Sequence, residues 1–120
     1  METLEDIREI VVSSEKTVAV ANFPLNLVGS NVDGLMRDVQ TLQEKGIKDI
    51  VLDFKQSEYV NSRCLGSLVK VVDNLSNLGG SLSLLHMDPR IHTLFENLGL
   101  SHIFMWFDRE EDALLYHARE

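Results

Sequence analysis

Residues 50–75 read IVLDFKQSEYVNSRCLGSLVKVVDNL, an apolar run that passes through a polar loop into a second apolar run of different period. The first part ends the run IKDIVLDF (Ile47 to Phe54), which is short and sufficiently apolar and β-branched for a strand. That composition predicts a strand buried on both faces, as in the middle of a parallel sheet. In the second part Leu65, Leu68, Val72 and Leu75 recur at helical spacing and form one stripe. The stretch is therefore a strand-loop-helix unit, with Ser62 at the start of the helix. A serine there can cap the helix, its hydroxyl accepting one of the unpaired N–H groups of the first turn. It can also carry a phosphate, because a helix N-terminus favours added negative charge. Position alone leaves both roles open.

Working outward, IREIVV (7–12) and TVAVANF (17–23) alternate as strands do, and the polar SSEK between them suits a hairpin turn. After Pro24, Val32, Leu35, Val39 and Leu42 mark a helix over roughly residues 31 to 45, capped by Ser30 or Asn31 and closed by Gly46. Downstream, Gly79-Gly80 stops the central helix and SLSLLHM (81–87) reads as another strand. Asp88-Pro89 then supplies a cap and a first-turn proline for a helix whose buried face is Ile91, Leu94, Phe95 and Leu98. Gly99 ends it before a last strand, HIFMWF (102–107), in which Phe104, Trp106 and Phe107 read as core. Asp108 with Glu111 resembles a capping box for a terminal helix. Strands alternating with helices imply an α/β sheet with right-handed crossovers and an antiparallel hairpin at its start.

The chain has 120 residues, 44% apolar and 25% charged, which fits one globular domain over residues 1–120 without repeats or low-complexity tracts. The acidic start METLEDIREIVV is unlike a secretory signal, and no apolar run is long enough to span a bilayer. A cytoplasmic protein is expected. The net charge of −8 argues against nucleic acid or an anionic membrane as the main partner, since both are held through Lys and Arg. Cys64 is the only cysteine, so no intrachain disulfide forms. His86, His92, His102 and His117 have no metal-ligand spacing and read as ordinary surface or partly buried histidines, so neither metal nor cofactor is expected.

The succession IVLDF, YVNSRCLGSLV, NLGGSLSLL, DPRIHTLFENLGLSHIF and FDREEDAL resembles the STAS domain of bacterial anti-sigma factor antagonists over about residues 8 to 117. The resemblance implies a mixed central sheet of about five strands with four helices. It implies a partner switch rather than an enzyme: the unphosphorylated domain binds a serine kinase that is also an anti-sigma factor, and phosphorylation of one serine releases it. A metal-dependent serine phosphatase of the PP2C type would reverse the step. The family pattern Asp-Ser-Ser/Thr-Gly-Leu-Gly falls on Asn61-Ser62-Arg63-Cys64-Leu65-Gly66, which makes Ser62 the phosphoacceptor. Asn61, Arg63 and Cys64 depart from it, as does Asn26, where the family carries an acid. The docking face implied is Asn26, Asn61, Ser62, Arg63, Cys64 and Leu65, continuing to Lys70 and Asn74.

Two other readings compete. Cys64 in the first turn of a helix could be a nucleophile whose thiolate the helix dipole favours. The residues after it, LGSLVK, are already helical by their spacing and leave no phosphate-cradling loop, so a half-buried packing thiol is favoured. The second alternative keeps the fold but makes the chain a scaffold or regulator-binding module in which Ser62 is only a cap.

Overall fold

A computed structural model describes residues 4–27 and 31–119, with the backbone alone at positions 26, 27, 31 and 32. In chain order the elements are β1 (Glu5–Ser13), β2 (Lys16–Asn22), β3 (Asn26–Leu27), α1 (Asn31–Glu44), β4 (Asp49–Asp53) and β5 (Tyr59–Val60). They continue as α2 (Ser62–Asn77), β6 (Ser81–Leu85), α3 (Pro89–Asn97), a 3-10 turn (Ser101–Ile103), β7 (Met105–Phe107) and α4 (Glu110–Arg119).

Five strands form one sheet in the order β1-β2-β4-β6-β7, in which only the β1–β2 hairpin is antiparallel. Strand β4 lies in the middle and is buried at all five positions, as its apolar centre Ile50 to Leu52 predicts, with Asp49 and Asp53 buried at its two ends. Its neighbours are in register through Ile50 with Ala19 and Leu82, and through Leu52 with Ala21 and Leu84. Because successive side chains point to opposite faces, these residues pack with Leu35 and Val39 of α1, Leu65 and Leu68 of α2 and Phe95 of α3. Truncating a fully buried leucine such as Leu65 to alanine costs about 2–5 kcal/mol in such a core. The alternate residues Val18, Val20, Val51 and Leu85 face the other way and are covered by Ala113 of α4. Three helices thus lie on one face and α4 on the other.

Element ends follow their chemistry. Asp88 caps α3 by accepting the Arg90 N–H at 2.8 Å, with Pro89 in the first turn. Gly46, Gly79 and Gly99 follow α1, α2 and α3 with positive φ. Gly80 is required for a different reason: a Cβ there would fall 1.8 Å from the Lys48 carbonyl oxygen, which accepts the Ser81 N–H at the joint between β4 and β6.

Five sequence expectations need correction, the first being Leu98, which was expected on the buried face of α3 but follows that helix and is about half exposed. Ser62 is not the cap of α2, as the site geometry below makes plain. Helix α4 begins at Glu110, beyond Asp108, and Glu111 is engaged by Arg109 at 2.8 Å instead of closing a capping box. Only the second half of HIFMWF is strand; its start is the 3-10 turn. His117, read as an ordinary histidine, is fully buried among Asp49, Ser81 and Ser83. Of the two caps expected for α1, Ser30 lies outside the described residues.

Candidate docking site at the start of the central helix

The site begins where β4 ends. Asp53, nearly fully buried, accepts the Lys55 N–H at 2.9 Å through Oδ1, which also lies 3.0 Å from Nδ1 of His86. The chain then runs out over the carboxyl edge of the sheet, where α/β folds place their functional loops. Ser57 pins this loop by donating to the Pro24 carbonyl at 2.8 Å, and Gln56 donates to the Phe23 carbonyl at 2.9 Å. The Glu58 N–H reaches the Leu25 carbonyl at 2.8 Å, after which β5 pairs in parallel with β3, Tyr59 opposite Asn26. This two-stranded sheet brings the Asn26 backbone beside the start of α2.

Asn61 ends the loop in extended conformation, and its side-chain oxygen accepts the Cys64 N–H at 2.8 Å. That is the N-cap bond. Asparagine accepts it because its carbonyl oxygen is on the same short stem that makes Ser and Asp good caps. Ser62 becomes the first residue of the helix, exposed, and its hydroxyl makes no hydrogen bond among the described residues. The N–H groups of Ser62 and Arg63 lie in the first turn, where no helical carbonyl reaches them.

The rest of α2 divides cleanly. Cys64, Leu65, Leu68, Val71 and Leu75 are buried, while Arg63, Gly66, Lys70 and Asn74, three or four residues apart, form an exposed stripe. Arg63, Gly66, Ser67 and Lys70 line a cleft of about 390 Å³ against Asp33 and Met36 of α1. The structure therefore gathers Asn61, Ser62, Arg63, Lys70 and Asn74 on or beside one surface with the Asn26 backbone; the Asn26 side chain lies outside what is described.

Cys64 and Leu65, included in the docking face by resemblance, are each 0% exposed. Their side chains point into the sheet because positions 64 and 65 fall on the helix stripe that packs on β4 and β6. Burial pushes the Cys64 thiol up to about 12, which leaves no thiolate near neutral pH and removes the ground for a nucleophile. Among the described residues no group of three or more His, Cys, Asp or Glu side chains is arranged to hold a metal ion. Nor is any helix there long and apolar enough to cross a membrane.

Sequence reasoning missed Tyr59 and Leu25. Both are about half exposed, 52% and 47%, and Leu25 meets the Tyr59 strand through its own carbonyl. The signal was present: Tyr59 alternates with buried Val60, so it must face outward.

A model of the STAS domain matches residues 9–113. The chain belongs to the STAS domain family. An anti-sigma F factor antagonist of Paenibacillus polymyxa is 27% identical to this STAS domain over 75 residues, 62% of this chain and 64% of the relative. The match thus spans less than two thirds of that relative. Two solved structures have the same fold. SpoIIAA in its unphosphorylated form superposes with a TM-score of 0.72 at 20% identity, over 90% of this STAS domain and 92% of that chain. The phosphorylated form of Bacillus SpoIIAA gives 0.67 at 21% identity, over 92% and 97%.

Proposed function

We propose that this STAS domain is an anti-sigma factor antagonist that works in the cytoplasm as a phosphorylation-controlled partner switch. With Ser62 unmodified, the α2 stripe and the loop before it bind an anti-sigma factor that is also a serine kinase. Phosphate on Ser62 releases that partner, and a metal-dependent serine phosphatase of the PP2C type restores binding. The observation that carries this reading is the division of labour between Asn61 and Ser62. Asn61 caps the helix, so the Ser62 hydroxyl stands exposed at a helix N-terminus with no structural duty to lose.

A phosphate there adds about −1.5 to −2 charge. It meets first-turn N–H groups and the positive end of the helix dipole, so the fold accommodates it. A docked partner does not, because an unpaired charge trapped in a tight interface costs several kcal/mol, about a thousandfold in affinity. The switch therefore acts by obstruction and charge at the contact.

The test is incubation of the chain with a serine-kinase anti-sigma factor from the same organism and ATP, followed by mass-spectrometric mapping. Phosphate on Ser62, and none on Ser62→Ala, is the expected result. A kinase that binds but leaves Ser62 unmodified would instead favour the scaffold reading, in which Asn61 has taken the family acid's place solely as a cap.

A further inference from the structure

On the far face of the sheet, α4 covers Val18, Val20, Val51 and Leu85 with few side chains of its own; Ala113 and His117 are its buried residues. Its outer side is not that of a simple solvated helix. Leu115 is 53% exposed, and Met105 of the neighbouring edge strand β7 is 42% exposed. Between them runs a groove of about 450 Å³ whose floor is Met105 and Phe107 and whose wall is Asp112, Leu115, Tyr116 and Arg119.

Those four α4 residues have the spacing i, i+3, i+4 and i+7, so they form one continuous stripe. It is apolar at its centre, acidic at its N-terminal end and basic at its C-terminal end. Its end charges also differ from the rest of the helix. Glu110 is held by Arg8 and Glu111 by Arg109, whereas Asp112 and Arg119 have no ion-pair partner among the described residues. A stripe with this order is complementary to itself when reversed. Two copies laid antiparallel about a two-fold axis between Leu115 and Tyr116 set each Asp112 opposite the other's Arg119. Each Leu115 then faces the other copy's apolar groove.

We propose that this face is a docking surface for a second copy of this chain, giving an isologous dimer through α4. A two-fold contact uses the same patch on both partners, which is what the reversed charge order provides. Ridge-into-groove packing accounts for the exposed Leu115 beside an apolar channel, and the flexible thioether of Met105 suits such a contact. The α2 surface lies on the opposite side of the sheet, so both copies keep their candidate phosphoserine sites open.

Sedimentation of the full chain between about 10 µM and about 1 mM, the range in which small interfaces assemble, tests this. The mass is expected to rise toward twice that of the chain. Leu115→Glu, at an exposed position that leaves the fold intact, is expected to weaken association about a hundredfold. Arg119→Asp weakens it by placing like charges opposite each other, and the double variant Asp112→Arg with Arg119→Asp restores it. A chain that stays monomeric throughout the range overturns the proposal. So does a dimer indifferent to Leu115→Glu, and a double charge swap without rescue overturns the antiparallel register.

Discussion

Asn61 Oδ1 accepts the Cys64 N–H at 2.8 Å, so the residue before the candidate phosphoacceptor, and not the acceptor, closes the first turn of α2. The two side chains should then separate in a stability measurement. Asn61→Ala is expected to cost about 1 kcal/mol, the usual loss of a cap, while Ser62→Ala stays within about 0.5 kcal/mol of the wild type, like other surface changes. Urea denaturation of both variants measures this; equal losses would show that the hydroxyl shares the capping.

An aspartate at position 61 keeps the cap and adds a charge beside the acceptor. At about 6 Å in a water-like dielectric, that charge repels a phosphate by about 1 kcal/mol. Asn61→Asp should therefore leave stability unchanged and shorten the lifetime of the phosphorylated chain against its phosphatase. A time course of phosphate loss decides it, and an unchanged or longer lifetime contradicts the electrostatic account.

Two glycines of similar surroundings in sequence should respond in opposite directions. At Gly80 a new methyl group would overlap the Lys48 carbonyl at 1.8 Å, so Gly80→Ala must displace backbone between two central strands. A loss of about 3 kcal/mol or more is expected. At Gly66 a Cβ meets nothing within 4 Å, and the residue is inside a helix. Gly66→Ala should raise stability by up to about 1 kcal/mol, while adding bulk to the α2 stripe and weakening partner binding. Thermal melts of the pair provide the comparison.

The buried node under α4 predicts an acid sensitivity. Burial raises the Asp49 carboxyl, but the hydrogen bond with His117, the nearby Lys16 charge and the Ser81 hydroxyl together hold it below its ordinary value. A carboxyl with a depressed value in the folded state adds stability above the unfolded-state value of about 4, and that stability is lost as pH falls through the lower folded value. The stability difference between wild type and Asp49→Asn should thus be fully present above about pH 4. It should shrink below about pH 4. A difference that widens in acid would reverse the assignment.

Most of the sheet was legible because its residues carry two distinct periods. Ile50 to Leu52 had to be buried on both sides, and Leu65, Leu68 and Leu75 had to share a stripe, whatever else surrounded them. Asp88-Pro89 announced α3 through local chemistry alone. Features that depend on distant partners were not legible. Strands β3 and β5 have two residues each, too short for any period, and exist because Leu25 and Glu58 meet across the sheet edge. His117 lies 68 positions from Asp49, and nothing near it in sequence signals that both are buried together. Between Asn61 and Ser62 the error was one residue, since both are good caps and the backbone turn decides which one is used.

The sealed position of Cys64 makes the chain its own clock. As the sole cysteine, fully covered and uncharged near neutral pH, it can react with a thiol reagent only when the first turn of α2 lifts from the sheet. The labelling rate therefore counts openings of the very segment that carries Ser62. A bound partner that clamps that turn would slow the count, and a phosphate that tightens or loosens it would register without any engineered cysteine.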